Sequence, residues 1–273
     1  MADLTVTGSR LRPYRAVLAS RARSQTSYRA SFALDLLSSL LIGVIELVEV
    51  WILFHNVVEL GGLEFEHVLL VFGIAELCFC LADVSFGHCD QLPTYLRAGT
   101  LDVFYLRPQP LLLQLVTSEI SLRRLARAAV AATALVVALV VNEIAWGPAD
   151  VLLLVVALAS GYATFAAMFV WAAGMQFFLI EGAETTNAFV YGGRYAATQP
   201  ASVWSRPLWA VFGFFFPMAF TAFLPALTLL GLDDVVGLPG WAGWCAPLAA
   251  VWTWLLALGS WHIGVRHYQG GGG

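Results

Sequence analysis

Long apolar stretches alternate with short polar ones from one end of this chain to the other. Six of them, at about 31–55, 67–86, 128–146, 151–180, 208–230 and 241–265, approach or exceed the roughly 20 apolar residues that a helix needs to cross a bilayer. The pattern predicts an all-α integral membrane protein of six transmembrane helices forming one transmembrane domain over 1–273. Pro217 and Pro225 interrupt the fifth of these spans. Ahead of the first span, Arg10, Arg12, Arg15, Arg21, Arg23 and Arg29 are interleaved with Tyr14, Val17, Leu18 and Tyr28. Pro13 suits a first helical turn. Residues 1–30 therefore predict an interfacial amphipathic helix, with a disordered basic leader as the alternative. The longest polar stretch, 87–127, is too short and too apolar to be an enzyme module.

Charge turns these spans into a topology. Only 12% of the residues are charged and 60% are hydrophobic, against about 25% charged in an average globular chain. All 14 cationic residues are arginine. Lacking lysine, the chain has no P-loop lysine to offer a nucleotide. Arginine-bearing segments stay in the cytoplasm, which places the N-terminus, 87–127, 181–207 and Arg266 inside. The loops carrying Glu59, Glu64 and Glu66, then Glu143 and Asp150, then Asp233 and Asp234, hold no arginine and lie outside. Both termini are thus expected in the cytoplasm of a bacterium, in whose inner membrane the chain sits among lipid. Trp51, Trp146, Trp204, Trp209, Trp241 and Trp244 fall near span ends, as an interfacial belt requires. Scattered arginines exclude a nucleic-acid surface. Cys78, Cys80, Cys89 and Cys245 form no disulfide framework, and the histidines show no metal-ligand spacing. No hydrolase, zinc-protease or dinucleotide motif occurs, so the chain holds no catalytic residue, cofactor or metal of its own. The absence of an internal repeat sets it apart from many secondary transporters.

Several acids interrupt the spans. Glu46 and Glu49 share one face of the first span, and Glu76 and Asp83 share one face of the second. Asp35 lies near the inner end of the first. Ionisable groups at this depth are expensive and face a bundle interior or water. With no arginine expected at their level, they are predicted to be protonated, hydrated or hydrogen-bonded across the helices. A polar seam between helices and a polar route for a cationic or amphiphilic substrate both remain open. A further group, Glu181, Glu184, Asn187, Arg194 and Gln199, reads either as a cytoplasmic ion-pair cluster or as a second contact with a cytoplasmic partner.

The inner loop contains Arg97-Ala98-Gly99-Thr100-Leu101-Asp102-Val103-Phe104-Tyr105-Leu106-Arg107-Pro108. Gly99-Thr100 is suited to end one helix and cap the next, and Asp102 complements the dipole of the second. Leu101, Phe104 and Tyr105 then share a face, and Arg107-Pro108 stops the helix. A short amphipathic helix at the membrane's inner surface suits docking into a partner's groove; an ordinary interfacial loop is the alternative. The run from Arg97 to Pro108 resembles the RxGxLDxxLLRP signature of permease subunits of ABC-2 type exporters, in particular a bacterial subgroup of ABC-2 family transporter proteins. Phe216-Pro217-Met218-Ala219-Phe220, Pro225 and the ending Gly264-Val265-Arg266-His267-Tyr268-Gln269 fit the same resemblance.

That resemblance implies an ABC-2, type V exporter-like permease fold. It implies a permease dimer, of identical or paralogous subunits, seated on two ABC ATPase subunits that carry ATP and Mg. It places Arg97, Gly99, Thr100, Leu101, Asp102, Phe104, Arg107 and Pro108 in the region that couples to the ATPase. Glu46, Glu49, Glu76, Asp83, Phe216 and Pro217 become the candidate substrate pathway, and an amphiphilic or drug-like substrate is expected to leave the cytoplasm by alternating access. A secondary transporter driven by ions or protons through Glu46, Glu49 and Glu76 is the competing reading. A lipid-modifying membrane enzyme is a third.

Overall fold

The computed structural model describes residues 29–118, 121, 124–179 and 183–268. The expected interfacial helix at 1–30 lies almost wholly outside them, as does Glu181. No β-strand occurs among the described residues; a lone bridge joins Leu60 to Leu63. Five helices are long and apolar enough to cross a membrane, and a bent pair raises the number to six if taken as one span.

Helix α1 (Arg29–Asn56) leads to α2 (Phe65–Phe86), which continues through a 3-10 turn at Gly87–Gln91 into α3 (Leu92–Arg97). The short α4 (Asp102–Tyr105) and α5 (Leu111–Ser118) follow, then α6 (Arg124–Val141), α7 (Pro148–Gln176) and α8 (Ala183–Ala197). Local chemistry sets these boundaries. Pro148 opens α7 in the first turn, where its missing N–H costs nothing. The Asp150 carboxylate accepts the Gly147 N–H at 2.9 Å, satisfying a donor that the helix leaves free.

The interior is built from α2 and α7, which run parallel with small residues at their contacts. Gly161 of α7 lies against Cys78, and the Cys78 thiol donates to Leu158 O at 3.4 Å. Without a hydrophobic gradient inside a bilayer, close approach of backbones and interhelical hydrogen bonds drive such packing. The same holds where α7 meets the last helix. A Cβ on Gly174 would overlap the backbone of Ser260 and Trp261, and one on Gly264 would overlap the carbonyl of Gly174. Helix α6 returns antiparallel to α2: Asn142 donates to Glu66 O at 2.8 Å at one end, and Arg124 meets Asp83 toward the other.

One element departs from the hydropathy reading. The run at 208–230 is not one straight helix. It divides into a limb Arg206–Phe215 and a limb Met218–Leu230, bent by 65°. The first limb comprises α9 (Arg206–Leu208) and a π-helix at Trp209–Phe215; the second holds α10 (Phe223–Leu230). Helix α8 leads from the Gln176 end of α7 toward the loop before α2. Thr186 and Asn187 face Gln176 at the end of α7, Gly193 faces Met168, and Ser202 just beyond the helix lies against Gly61 in the loop before α2. The chain has then reached the opposite end from Gln176. It dips back, with Phe212 beside Gly192 and Gly193 and Phe216 beside Phe189 and Trp171. It turns at Pro217 and climbs until Thr228 donates to Gly240 O at 3.1 Å. Helix α11 (Ala246–His267) closes the bundle alongside α7. The apolar window selected 208–230 because both limbs are rich in Phe, Leu and Ala; it passed over α8 because Glu184, Thr185, Thr186 and Asn187 dilute its start.

This arrangement predicts that cysteines at Glu59 and Ser202 are modified by an impermeant thiol reagent from the same face of sealed membranes, and that Arg97→Cys is modified from the other face. Labelling of Ser202→Cys together with Arg97→Cys would instead restore 208–230 as the crossing segment.

Candidate functional site

Four charged side chains meet in the middle of the bundle. Glu46 of α1 and Glu76 of α2 face Arg127 of α6 and Arg194 of α8. Arg127 Nη2 lies 3.1 Å from Glu46 Oε1 and 3.4 Å from Glu76 Oε1. Arg194 approaches from the opposite direction, with Nη2 at 2.5 Å from Glu46 Oε2 and Nε at 2.7 Å from Glu76 Oε2. Each carboxylate is therefore held between two guanidiniums, and Arg127 Nη2 also reaches Glu46 Oε2 at 3.4 Å. The guanidinium carbon of Arg194 also sits 5.0 Å from the centre of the Phe79 ring, a favourable cation–π distance. The Cys80 thiol donates to Glu76 Oε1 at 3.1 Å. Glu76 is only 3% exposed. The cluster is electroneutral, as burial demands.

A second pair lies nearer the arginine-rich end. Arg124 Nη1 approaches Asp83 Oδ1 at 2.9 Å and donates to Asp83 O at 2.7 Å. Gly87 makes this possible, since a Cβ there would occupy the space of the guanidinium. Beyond it, Tyr191 of α8 donates to Asp90 Oδ2 at 2.8 Å.

These contacts revise the expectation that no arginine reaches the intramembrane acids. Arg127 belongs to the first turn of α6, and its guanidinium meets both Glu46 and Glu76. Arg194, expected in a cytoplasmic cluster with Glu184 and Gln199, lies inside because α8 carries it there. Glu46, Glu76 and Asp83 are thus compensated. Glu49 differs: it is exposed on α1, with no hydrogen bond or ion pair among the described residues. Phe216 and Pro217 are not at a lining surface. Phe216 is fully buried, with its ring 4.8 Å from that of Trp171, and Pro217 is buried at the hairpin's turn. An apolar groove of about 520 Å³ does open between α1, α2 and α6, with Leu47, Trp51, Phe65 and Val130 in its walls.

The loop 97–108 forms a separate site at the arginine-rich end. Gly99 has φ +65°, a left-handed conformation that glycine adopts without strain. This turns the chain sharply, so that the Thr100 and Leu101 N–H groups both donate to Tyr95 O, at 3.1 and 3.4 Å. The Thr100 hydroxyl points to the same carbonyl and does not cap α4. The helix is only four residues long. Leu101 and Phe104 are buried as its inner face, with Phe104 5.3 Å from the Tyr95 ring. Gln114 of α5 clamps the segment from below, donating to Phe104 O at 3.0 Å and Gln109 O at 2.7 Å. Arg107 lies over Phe104 at 5.8 Å. Val103 and Leu106 project outward, and Leu106 is 84% exposed. Tyr105 departs from the expected shared face: it is half-exposed and stacks on Tyr268 at 6.0 Å.

In the sequence Tyr268 stands only as part of the chain's ending, with no role attached to it. Its hydroxyl donates to Asp102 Oδ1 at 2.9 Å, fastening the end of α11 to the loop. Burial, and then the Asp102 carboxylate, push the Tyr268 hydroxyl up to about 12 from its ordinary value. The protonated phenol, which makes this bond, is fully present below the ordinary tyrosine pKa near 10. It is lost only as pH rises through about 12, so the tie holds across the neutral range.

Residues 40–272 match the family model described as ABC-2 family transporter protein. No curated relative and no solved structure matches the chain.

The central cluster predicts strong non-additivity. Glu76→Gln leaves two guanidiniums on a single carboxylate and should cost about 3 kcal/mol or more, as expected for an uncompensated buried charge. Adding Arg194→Gln restores neutrality and should recover much of that loss. Thermal unfolding midpoints in detergent would check this; a double variant whose loss equals the sum of the single losses would contradict it.

Proposed function

The chain belongs to the ABC-2 transporter family, which makes it the permease component of an ABC transporter working with separate ATPase subunits, and on that premise we propose that it is an ATP-driven exporter subunit. It acts as one of two permease subunits above two ATPase subunits that bind ATP and Mg. It resides in the bacterial inner membrane with the arginine-rich end in the cytoplasm. Six crossings result, by α1, α2, α6, α7, α8 and α11, and the limbs from Arg206 to Leu230 form a re-entrant hairpin entered from outside.

The observation that carries this reading is the loop at 97–108. Its apolar tip, Val103 and Leu106, faces away from the bundle, while its base is hydrogen-bonded to α11 through Asp102 and Tyr268. A groove on an ATPase subunit would take the tip as a short helix docked by its apolar side chains. ATP binding draws the two ATPase subunits together, and the loop carries that displacement into the spans. The pathway then alternates between inward-open and outward-open states, each favoured by a different nucleotide state. The competing reading, an ion-coupled secondary transporter, loses support because Glu46 and Glu76 are each engaged by two arginines. Carboxylates so engaged have both oxygens taken up by structural partners rather than open to a coupling ion.

Two measurements test the proposal. The solubilised chain should co-purify with a Walker-type ATPase. Asp102→Arg, or removal of 99–106, should abolish transport-coupled ATP hydrolysis while the permease still inserts to normal levels. Transport that persists without any nucleotide-hydrolysing companion would refute it. Tyr268→Phe tests the tie alone: coupling should fall while co-purification persists, whereas coupling equal to wild type would assign transmission to the packing of Leu101 and Phe104.

A further inference from the structure

The helical run that leads to the loop at 97–108 is broken once. Between α2 and α3 it passes through the 3-10 turn at Gly87–Gln91, and such a stretch inside a longer helix often marks a hinge. On the α2 side the chain is fixed, because Arg124 of α6 holds Asp83 and packs over Gly87. On the α3 side it bears the loop. Tyr95 O accepts the Thr100 and Leu101 N–H groups, the Tyr95 ring packs on Phe104 at 5.3 Å, and the Tyr95 hydroxyl is hydrogen-bonded to His88 Nε2 at 2.9 Å. Loop, α3 and turn are thus joined in series.

From this turn a second contact leads to α8. Tyr191 donates to Asp90 Oδ2 at 2.8 Å. Asp90 Oδ1 is buried with no hydrogen-bond partner among the described residues, so the tyrosine hydroxyl is what satisfies this carboxylate. The Tyr191 ring lies 5.7 Å from that of Phe79 and 6.4 Å from that of Phe169, and this packing fixes where its hydroxyl points. One turn further along α8, Arg194 lies over the same Phe79 ring at 5.0 Å and binds Glu46 and Glu76. Just beyond the helix, Ser202 lies so near Gly61 that a Cβ on the glycine would overlap its hydroxyl. One rigid element therefore touches the turn behind the loop, the charge cluster, and the loop before α2.

We propose that Tyr191 is a positioning residue of the transport cycle: it passes a tilt of α3 about the 3-10 turn to α8, and α8 carries that displacement to the contact of Ser202 with Gly61, which parts as the loop moves. This route rests on the exporter reading and adds the path from the coupling loop to the far end of the bundle. The tie through Tyr268 leads to α11, on the closely packed side; the tie through Asp90 leads to α8, at the charged seam. A displacement of the loop thus moves the two sides relative to one another.

The test uses the complete transporter, permease with its ATPase subunits, in sealed proteoliposomes with ATP on the loop's side. The reporter is Ser202→Cys in a Cys245→Ser background, labelled from the opposite side by an impermeant maleimide. With no further substitution, ATP should raise the labelling rate. Tyr191→Phe keeps the ring and removes the bond. It should cut the ATP-dependent rise about threefold or more, while the rate without ATP and co-purification of the ATPase stay as they were. Asp90→Asn retains an acceptor carbonyl and should keep most of the response; Asp90→Leu should lose it. Tyr191→Phe combined with Asp90→Leu should lose no more than Asp90→Leu alone, as expected when both remove the same interaction. An ATP-dependent rise left intact by Tyr191→Phe would overturn the route. So would faster labelling in Tyr191→Phe to the same degree with and without ATP, since the bond would then serve packing alone. Failure of the exporter reading shows differently: the reporter without further substitution would ignore ATP, and the route would fall with it.

Discussion

Burying charge inside a bilayer is tolerable only when each charge is matched, and the centre of this protein is organised by that constraint. Glu46 and Glu76 each present both oxygens to guanidiniums, and Arg127 and Arg194 each bridge both acids. The four groups come from α1, α2, α6 and α8, so no one of these helices can shift freely without exposing a charge. The cluster matters most for α1, much of whose surface is exposed. Small apolar side chains hold α2, α7 and α11 together by close approach. The bundle therefore has two modes of cohesion: dense packing on the α7 and α11 side, and paired charge where α1 and α8 meet α2 and α6.

This division suits a machine with moving parts. Packing by glycine against backbone, as at Gly174 and Gly264, has one good geometry and resists sliding. Ion pairs with two acceptors and two donors offer alternative pairings of similar energy, because each guanidinium can give up one carboxylate oxygen and keep the other. The loop at 97–108 joins the first mode, since Tyr268 fastens it to α11. Displacement entering at Val103 and Leu106 would thus reach the rigid side of the bundle first, and relative motion would fall on the charged seam.

Much of this was legible in sequence, for identifiable reasons. Apolar length located α1, α2, α6, α7 and α11 to within a few residues, because a bilayer imposes the same requirement on every span. The loop's inner face, Leu101 and Phe104, followed from helical spacing, and the turn at Gly99 from its residue type. The charge cluster did not follow. Arg127 and Arg194 meet acids far away in the chain, and no local rule links a guanidinium at the start of α6 or inside α8 to Glu46 and Glu76. Arg194 was doubly hidden: an arginine read as a cytoplasmic marker gives no sign that it pairs with acids on α1 and α2. The 65° bend within 208–230 was hidden as well, because both limbs are apolar. The tie made by Tyr268 did not follow either, because a tyrosine after a helix carries no sign of its bond until its partner, Asp102, is placed beside it.

The doubled-back segment from Arg206 to Leu230 has a consequence for how the polypeptide is made. Its turn at Phe216-Pro217 and its π-helical limb leave backbone groups outside regular α-helical pairing, and hydrocarbon offers these groups no partners. Neither limb is a stable insertion unit in lipid by itself. The Phe216 ring finds its place only between Trp171 and Phe189, side chains translated earlier on α7 and α8. Synthesis thus delivers the receptacle before the insert, and this segment is the piece whose biogenesis depends on helices already laid down, making it the point at which a slow or defective assembly would first become visible to membrane quality control.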